Sequence, residues 1–574
     1  MPVIQAVVAA LLCAVMSFPV RAATYDYPYP TAENKKGLGL GADMEEDGLE
    51  LNICHASINF PISLFIASKS ERNSGSSYSY RYKGKTYWFR KANIHAWDRT
   101  LKKLKQNNVI VSGILLMQKR SDLKNLIYPA ARKKKAAFYA WNMDGGANQR
   151  QIEAAISYLA RRYSSGKNGR VVGWIVGNEI DSATQWNAAG DISFSEYMDL
   201  YARMFETSSR IVRGVYSNAR VYVPLDHFWN MIYSNNYTAK DCLDTFARRM
   251  QTDGYSWNLA YHAYNGDLMQ PSITDPQYFE TTDQPDTPII TMKNLRVLTN
   301  YIRANYGDNI RVTLDEQGYS STWKGQNVSA QQSEAVALSY YLAMADPMVD
   351  SFIYYSQVDQ NELTKDGASF GIWKVSKREK ATDKKPSWSV FKYMDTDLNE
   401  PVLNQARTVS EQMTGVKVSA TRAIQIRPLS PGGKYRTAVG LKKGWKACGA
   451  VSSLKRKGGS FVLRRDSSRN ENVYWGIQKN ARLDASAHPH LMLTLRNGRL
   501  TNGETRLQVR VFSGNQNVIE ASALVRSKAV QRFQFDLSQW SGISSITRIE
   551  ILIKRESGRW RGKSGAVLEK IGFR

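Results

Sequence analysis

The 574-residue sequence contains 78 Lys and Arg residues against 51 Asp and Glu residues, which gives a formal net charge of +27. Its hydrophobic content of 43% and aromatic content of 11% exclude a predominantly disordered chain, and its length predicts two or three domains. The charge predicts binding to a polyanion, for which acidic polysaccharide, nucleic acid and a lipid surface are the candidates. A generally basic surface without a functional role is the alternative.

The N-terminal residues have the pattern of a secretion signal. Residues 3–20 are almost wholly apolar, and Val20 and Ala22 are small residues at the positions that a signal peptidase recognises. No Lys or Arg precedes this run, so the true start could lie upstream, and a membrane anchor is the alternative. We predict a signal peptide over residues 1–22 and a secreted or periplasmic protein without stable membrane insertion. Secretion favours acidic polysaccharide over nucleic acid as the polyanion.

The cysteines have no metal-site spacing, and one acidic run is a weak candidate for a metal site. Cys54, Cys242 and Cys448 remain after the signal, and their spacing fits neither a disulfide framework nor a metal site. We expect buried thiols at these positions. The acidic run 43–47 predicts a solvated loop, with calcium binding there left open. We therefore predict no metal and no cofactor.

From residue 37 to about residue 397, strand-like and helix-like segments alternate. Their order predicts a (β/α)8 TIM barrel with long loops, assigned to residues 23–411. An open doubly wound sheet is the alternative, but no Gly-rich phosphate-binding fingerprint follows an early strand. The predicted strands are 51–58, 109–117, 136–141, 171–176, 220–225, 257–263, 309–314 and 350–355, and the predicted helices are 93–105, 148–163, 193–215, 292–306, 330–345 and 388–394.

The pattern changes near residues 397–412. From residue 416 onward the segments are short, alternate in polarity and are separated by Gly, Asn and Ser, which is typical of antiparallel sheets. We predict an all-β sandwich over residues 412–574. Trp445, Tyr474, Trp475 and Trp540 could be sugar platforms, although core positions are the favoured interpretation for each.

Two predicted barrel strands end in glutamate. Residues 171–176 form an apolar strand that runs into Gly177, Asn178 and Glu179, and residues 309–314 lead into Asp315 and Glu316. A carboxylate at the C-terminal end of a buried strand is costly to place, and in a barrel this end forms the active-site mouth. Because side chains alternate along a strand, only one of Asp315 and Glu316 is expected to face the mouth.

The other predicted strand ends supply amides, histidines and flat aromatic rings. Such a mouth suits a hydroxyl-rich substrate. Of two carboxyl groups with different pKa values, one can protonate a leaving oxygen while the other, as an anion, stabilises an oxocarbenium-like centre. No serine-protease order and no His-Glu-x-x-His motif is present in the sequence. The collected strand-end residues are Asn59, Trp141, Asn142, Asn178, Glu179, Asp226, His227, His262, Tyr264, Glu316, Tyr355, Gln357 and Asp359.

The segment 174–179, Trp-Ile-Val-Gly-Asn-Glu, resembles the strand-four ending in the clan of retaining (β/α)8 glycoside hydrolases that includes many cellulases, mannanases, xylosidases and arabinofuranosidases. Residues 314–318, Leu-Asp-Glu-Gln-Gly, are similar to that clan's strand-seven ending. The resemblance implies that Glu179 is the acid/base, that Asn178 bonds the sugar 2-hydroxyl and that Glu316 is the nucleophile. A structural acid paired with a buried Arg is the alternative for Glu179.

The same resemblance implies further substrate contacts. His262 and Tyr264 match the strand-six ending, where His or Tyr orients the nucleophile, and Trp373 is the candidate floor of the sugar subsite. For His262, a satisfied core hydrogen bond is the alternative. Trp141, Asn59, His227 and Asp359 complete the predicted substrate-binding set. Residues 533–538, 546–553 and 567–573 resemble the last strands of jelly-roll carbohydrate-binding modules.

These observations predict a secreted retaining glycoside hydrolase that cleaves a polysaccharide by double displacement, with an anionic substrate expected from the charge. A non-catalytic carbohydrate-binding protein on the same barrel is the alternative, and a basic surface-attached adhesin is a third. We predict no nucleic-acid partner. The sugar, the linkage and the oligomeric state stay open.

Overall fold

The described part of the chain falls into two compact units. The computed structural model describes residues 24–41, 43–233, 236–398, 400–421, 424–425, 427–428, 439–441, 443–466, 475–483, 490–497, 505–513, 516–525, 530–536, 546–555, 560 and 565–573. The first unit runs up to Val328 and resumes over Asp346–Asp383, and the second comprises Ser329–Ala345 and the chain from Lys384. The predicted signal peptide, Tyr474 and Trp540 lie outside the described residues. The predicted domain boundary at residue 411 stays a prediction.

Eight parallel strands close into a barrel, which confirms the predicted TIM-barrel class. Each strand pairs with its neighbour in sequence, and β1 pairs with β8 to close the ring. The apolar, β-branched composition of the central strands suits burial on both faces. The strands are β1 Lys36–Gly39, β2 His55–Pro61, β3 Ile110–Leu116, β4 Gly173–Val176, β5 Arg220–Leu225, β6 Asn258–Tyr261, β7 Val312–Gln317 and β8 Val349–Tyr354.

Helices connect these strands, and side-chain caps start two of them. Ser193 accepts a hydrogen bond from the backbone N–H of Glu196, and Thr238 accepts one from that of Asp241. The main helices of the barrel segment are α1 Lys91–Gln106, α2 Gly146–Ser164, α3 Phe194–Arg213, α4 Ala239–Asp253, α5 Leu295–Tyr306 and α6 Ser329–Ala345, with short helices at Glu45–Glu50, Ile62–Phe65 and Asn361–Lys365. A hairpin of Ser77–Tyr82 and Lys85–Arg90 precedes α1.

One predicted barrel strand is wrong and one barrel strand was missed, and these two errors cancel in the strand numbering. Residues 136–141 form no barrel strand, because their backbone bonds loop residues instead: Phe138 N–H donates to Gln185 O and Ala140 N–H donates to Ala188 O. The first barrel strand is Lys36–Gly39, where two glycines dilute the apolar signal. Since one strand was missed and one was added before β4, β4 and β7 keep their predicted numbers.

The second unit contains two predominantly antiparallel sheets, which confirms the predicted C-terminal β-sandwich. Trp475 is fully buried and Trp445 is buried, so both are core residues. One sheet has the order Ile424–Gln425, Gln516–Val525, Thr505–Ser513, Ile546–Arg555, Trp475–Leu483, Lys446–Gly449. The other has the order Arg427–Pro428, Val530–Asp536, His490–Asn497, Gly565–Phe573, Ser460–Arg465, Val451–Lys457, and Val439–Gly440 pairs with Gly565–Phe573. Helices Pro386–Tyr393 and Pro401–Thr414 precede them.

Two smaller expectations can be compared with the coordinates. The Cys242 thiol is buried as expected, whereas Cys54 and Cys448 are only half-buried. Within the described ranges, no helix combines the length and the apolar character that crossing a bilayer requires.

Candidate active site

The end of β4 holds Glu179 in a fixed and unusual backbone conformation. Gly177 has φ = +85° and Glu179 itself has φ = +37°, a left-handed conformation that is uncommon for a residue with a side chain. The backbone is anchored on both sides, because Tyr201 Oη donates to Val176 O (2.9 Å) and Tyr197 Oη donates to Ile180 O (2.5 Å). These buried hydroxyls of α3 hold the backbone on both sides of Glu179. The left-handed conformation of Glu179 is the kind of local strain that concentrates at functional sites.

The end of β6 provides the groups that bind both predicted catalytic glutamates. His262 Nδ1 lies 2.8 Å from Glu179 Oε1, and Tyr264 Oη donates to Glu316 Oε1 over 2.9 Å. The two rings stand perpendicular, with centroids 6.3 Å apart. His262 is fully buried and Glu179 is 7% exposed, whereas Glu316 is half-buried. The strand therefore brings Glu179, Glu316, His262 and Tyr264 into one cluster.

A β-bulge in β7 places two acids in that cluster. Leu314 pairs with Phe352 and Gln317 pairs with Tyr354, so three steps on β7 oppose two on β8. Asp315 Oδ1 lies 3.5 Å from His262 Nε2, while Glu316 is bonded by Tyr264 as described above. Both acids thus reach the cluster, but Asp315 is buried and Glu316 half-buried, so the expectation that only one of them faces the mouth stays a prediction.

The end of β5 adds a second acid–histidine pair. His227 Nδ1 lies 2.5 Å from Asp226 Oδ1, and the Asp226 N–H donates to Asp181 Oδ1 over 3.1 Å. His227 Nε2 is buried and has no hydrogen-bond partner among the described residues. The His227 ring lies edge-on to the Tyr264 ring with centroids 6.4 Å apart, so this pair adjoins the glutamate cluster.

Burial and mutual repulsion set the protonation of the acids. Burial, and next the negative charge of Asp226, raises the pKa of Glu179 well above its ordinary value, and the hydrogen bond from His262 only partly opposes this. Burial also raises the pKa of Glu316, but His262 and the Tyr264 hydroxyl lower it in part. The two glutamates therefore sit in different electrostatic environments.

Burial and nearby charges also shift the pKa values of His262, Asp181 and Asp226. Burial disfavours the charge on His262, but the carboxylates of Asp315 and Glu316 raise its pKa well above the usual value. Burial and Asp226 raise the pKa of Asp181 to about 8. For Asp226, burial raises the pKa, but the charge and hydrogen bonds of His227 outweigh it and leave the pKa lowered. Asp226 thus supplies the negative charge that favours the protonated form of Glu179.

A second group of predicted residues lies in the loop after β8. Trp373 Nε1 donates to Asp47 Oδ2 (2.9 Å), and the Asp359 N–H donates to Trp373 O (2.9 Å). Asp359 Oδ1 accepts from the Gly371 N–H (2.8 Å), and Gln357 Nε2 also donates to Asp47 (2.8 Å). The acidic run 43–47 is therefore no simple solvated loop, because Asp47 fixes the indole of Trp373.

The remaining predicted residues differ in their access to solvent. Asn178 is buried next to Glu179, and Trp141 is fully buried with its Nε1 unpartnered among the described residues. Trp141 thus exposes no surface to a ligand. Asn59 of β2 is exposed, and it shares a strand face with Ser57, whose Oγ donates to Asp315 O (3.1 Å). Asn59 therefore lies on the side of β2 that faces the cluster.

Asp181 was not singled out from the sequence, whereas Asp226 and Asp315 were noted only for their positions at strand ends. Asp181 and Asp226 surround Glu179 electrostatically, and Asp315 pairs with His262. Asp226 directly follows β5 and was available as a strand-end residue, but its partnership with His227 needs the fold. In the described part of the chain, no group of three or more His, Cys, Asp or Glu side chains could hold a metal ion.

Comparisons with known proteins give a family and a general likeness. A family model described as "Family of unknown function (DUF5722)" matches residues 28–415, and no curated protein matches the chain. Solved structures that are similar include a glucosidase from Croceicoccus marinus, with 12% identity over 93% of this chain and 98% of that one, at a TM-score of 0.41. A family 39 glycoside hydrolase from Bacteroides cellulosilyticus WH2 has 10% identity over 92% of this chain and 82% of that one, at a TM-score of 0.42. A β-glycosidase from Thermosphaera aggregans has 14% identity over 65% of this chain and 86% of that one, at a TM-score of 0.41. At these scores, the likeness by itself identifies neither a reaction nor its residues.

Proposed function

The chain belongs to the DUF5722 family of unknown function, whose model covers more than half of it, and we propose that it is a retaining glycoside hydrolase. One observation carries the proposal: Glu179 and Glu316, from the ends of β4 and β7, are bonded by His262 and Tyr264 from the end of β6. Two carboxyl groups with different surroundings are what glycosidic cleavage requires.

The electrostatics support distinct roles for the two glutamates. Glu179 has the more strongly raised pKa, so it enters the reaction protonated and donates its proton to the leaving oxygen. Glu316 carries the negative charge, stabilised by the Tyr264 hydroxyl and the positive His262, and attacks the anomeric carbon. The bond from that carbon to the leaving oxygen breaks as the Glu316 ester forms. Glu179, now a carboxylate, then takes a proton from water, and the water oxygen displaces Glu316.

Retention is the favoured stereochemical course. The groups that hold the two carboxyls are two residues apart on one strand end, with ring centroids 6.3 Å apart. The proposed retention requires the two carboxyl groups to lie roughly 5–5.5 Å apart, whereas inverting enzymes keep them roughly 6.5–9.5 Å apart. The neighbouring Asn178 and exposed Asn59 are the proposed contacts to sugar hydroxyls, and Trp373 the proposed floor of the subsite.

The finer parts of the proposal rest on the sequence. The apolar run 3–20 supports secretion, and the net charge of +27 supports an acidic polysaccharide as the substrate. A glycan-binding role for the C-terminal β-sandwich stays a prediction.

The function can be tested on a panel of neutral and acidic polysaccharides. The wild type is expected to release reducing ends from at least one, with the first product keeping the substrate's anomeric configuration by proton NMR. The double variant Glu179→Gln, Glu316→Gln is expected to be inactive, and Glu206→Gln, a half-buried acid of α3 near Arg249, to retain activity. Absence of turnover by the wild type on the whole panel, or full activity of the double variant, would contradict the proposal.

Asp226 offers a pH test of the acid. A general acid must be protonated, so kcat/KM falls as pH rises through the pKa of Glu179. Because Asp226 raises that pKa, Asp226→Asn is expected to lower it and to move the alkaline limb to lower pH. Asp191→Asn, which removes an equal charge from an exposed site, is the control and should leave the limb in place. A limb that stays, or moves to higher pH, in Asp226→Asn would refute the assignment of Glu179.

A further inference from the structure

A cavity of about 190 Å³ lies between the hairpin that precedes α1 and the first turns of α2. The hairpin follows β2 and α2 follows the loop after β3, so both belong to the connections at the C-terminal face of the barrel, where the mouth lies. The cavity is lined by Ile66, Ala67, Arg72, Lys85, Thr86, Tyr87, Trp88, Phe89, Ala147, Arg150 and Gln151.

The cavity walls are held together by direct contacts. Phe89 stacks on Tyr158 of α2 with ring centroids 4.3 Å apart, and Tyr80 Oη lies 2.8 Å from Ser157 Oγ. On the opposite side, the Ala67 N–H donates to Trp88 O over 2.9 Å. The hairpin is therefore fixed to α2, and the cavity is a formed feature rather than a gap between two independent loops.

Three cations line this cavity, and the lining contains no acid. The side chains of Arg72, Lys85 and Arg150 make no ion pair or hydrogen bond within the described stretches of the chain, and the Nε of Arg150 is buried without a partner there. A buried guanidinium N–H without an acceptor is costly, and it is satisfied when an anion enters.

The acids closest in sequence do not neutralise these cations. Glu71 is bonded by Arg90 Nε at 2.8 Å, and Glu153 is bonded by Lys83 Nζ at 2.7 Å. Helix α2 has no acidic residue in its first turn and no side-chain cap, so its positive end adds to the field at Ala147. Three cations and a helix N-terminus thus border one partly open cavity whose lining contains no acid.

The remaining lining residues suit a sugar rather than a simple ion. Tyr87 and Trp88 are half-buried aromatic residues, and Thr86 and Gln151 provide polar groups. Aromatic faces pack on sugar rings, while arginine binds carboxylate or sulfate through paired N–H groups. We propose that this cavity is a binding subsite for an acidic sugar, whose carboxylate or sulfate group is held by Arg150, Arg72 and Lys85.

The subsite extends the proposed function, on which its role in substrate binding rests. Its hairpin lies in the connection from β2 to β3 and α2 lies in the connection from β3 to β4. The exposed Asn59 of β2 lies on the strand face that looks toward the glutamate cluster. An acidic polysaccharide cleaved at the mouth would place a sugar away from the scissile bond in this cavity. Binding here is then independent of the chemistry at Glu179 and Glu316.

The test compares three polymers with one backbone: dextran, carboxymethyl dextran and dextran sulfate. Binding is measured by calorimetry on the full chain carrying Glu316→Gln, so that turnover does not interfere and a failed glycosidase proposal leaves the measurement intact. The variant Arg72→Gln, Lys85→Gln, Arg150→Gln is compared with a control of equal charge change, Lys102→Gln, Lys105→Gln, Arg161→Gln, near the opposite ends of α1 and α2.

At least one acidic polymer is expected to bind more tightly than dextran, and the arm that binds identifies carboxylate or sulfate. The cavity variant is expected to weaken that binding at least about tenfold more than the control variant does, and Arg150→Gln alone to produce much of this loss. Equal losses in the cavity and control variants would reduce the effect to general charge attraction and overturn the subsite. So would acidic polymers that bind no better than dextran. Matching melting temperatures check that each variant is folded.

Discussion

Replacing Glu316 with glycine is expected to reduce hydrolysis of any substrate by about 10⁴-fold or more, because no group would remain to attack the anomeric carbon. Added azide should restore turnover of a 2,4-dinitrophenyl glycoside of the sugar that the wild type releases. The small anion can enter the space that the carboxylate leaves beside Tyr264 and attack in its place. Because only one displacement then occurs, the glycosyl azide must have the inverted configuration, which NMR identifies.

Two further measurements sharpen this result. Tyr264→Phe removes the hydrogen bond to Glu316 but leaves the carboxylate, so it should lower kcat without changing the configuration of the product. Rescue of Glu316→Gly by azide with retained configuration would assign the nucleophile to another residue. The bulge makes Asp315 the obvious competitor, since it also lies beside His262.

The sequence predicts the location of the site because strand ends carry its polar residues. Glu179 follows a short apolar strand and a glycine, and Glu316 ends another, so both were assigned to the barrel mouth without coordinates. The missed β1 and the added strand at residues 136–141 leave the numbers of β4 and β7 unchanged, so these strands stay three positions apart in the ring and nearly opposite each other. Apolar character alone does not separate a barrel strand from a loop segment that pairs with another loop, as residues 136–141 do.

The electrostatics of the site are beyond sequence reasoning. Strand alternation does not predict that Asp315 and Glu316 both reach the cluster around His262, because the sequence does not reveal the extra residue that β7 has relative to β8. Nor does the sequence indicate that Asp226 lies close enough to Glu179 to raise its pKa, since the two are on different strands. Pairwise distances between strand ends depend on register and bulges, and local composition specifies neither.

The same limit applies to the cationic cavity. Arg72, Lys85 and Arg150 are scattered over some 80 positions in a chain with 78 Lys and Arg residues, so no local run marks them. What distinguishes them is that nearby acids are already bonded by other cations, notably Glu153 by Lys83. The net charge of +27 therefore indicates a binding site only when the structure shows where the cations without an acidic partner lie.

Glu179→Ala is expected to affect substrates according to their leaving groups. A polysaccharide, whose leaving alkoxide needs a proton, should lose about 10²–10⁴-fold in kcat/KM, whereas a dinitrophenyl glycoside should still form the Glu316 ester. The second step then lacks its base, so the glycosyl-enzyme should accumulate and appear by intact mass spectrometry after a rapid quench. Azide, which needs no base, should release it as a glycosyl azide of retained configuration, the opposite of the Glu316→Gly product.

The pH profile gives an independent check on the same residue. In the wild type, burial and Asp226 raise the pKa of Glu179, so kcat/KM should decline at a pH above the usual carboxyl range as this proton is lost. That alkaline limb should vanish in Glu179→Gln, because the amide does not titrate. With a dinitrophenyl glycoside, even the wild type should show little of the limb, because the dinitrophenolate leaves without needing a proton. Two results would instead indicate that Glu179 is a structural acid: an unchanged alkaline limb in Glu179→Gln, or an equal loss of kcat/KM for both leaving groups. The proton donor would then be another acid of the cluster, and Asp181, whose pKa is raised to about 8, is the next candidate.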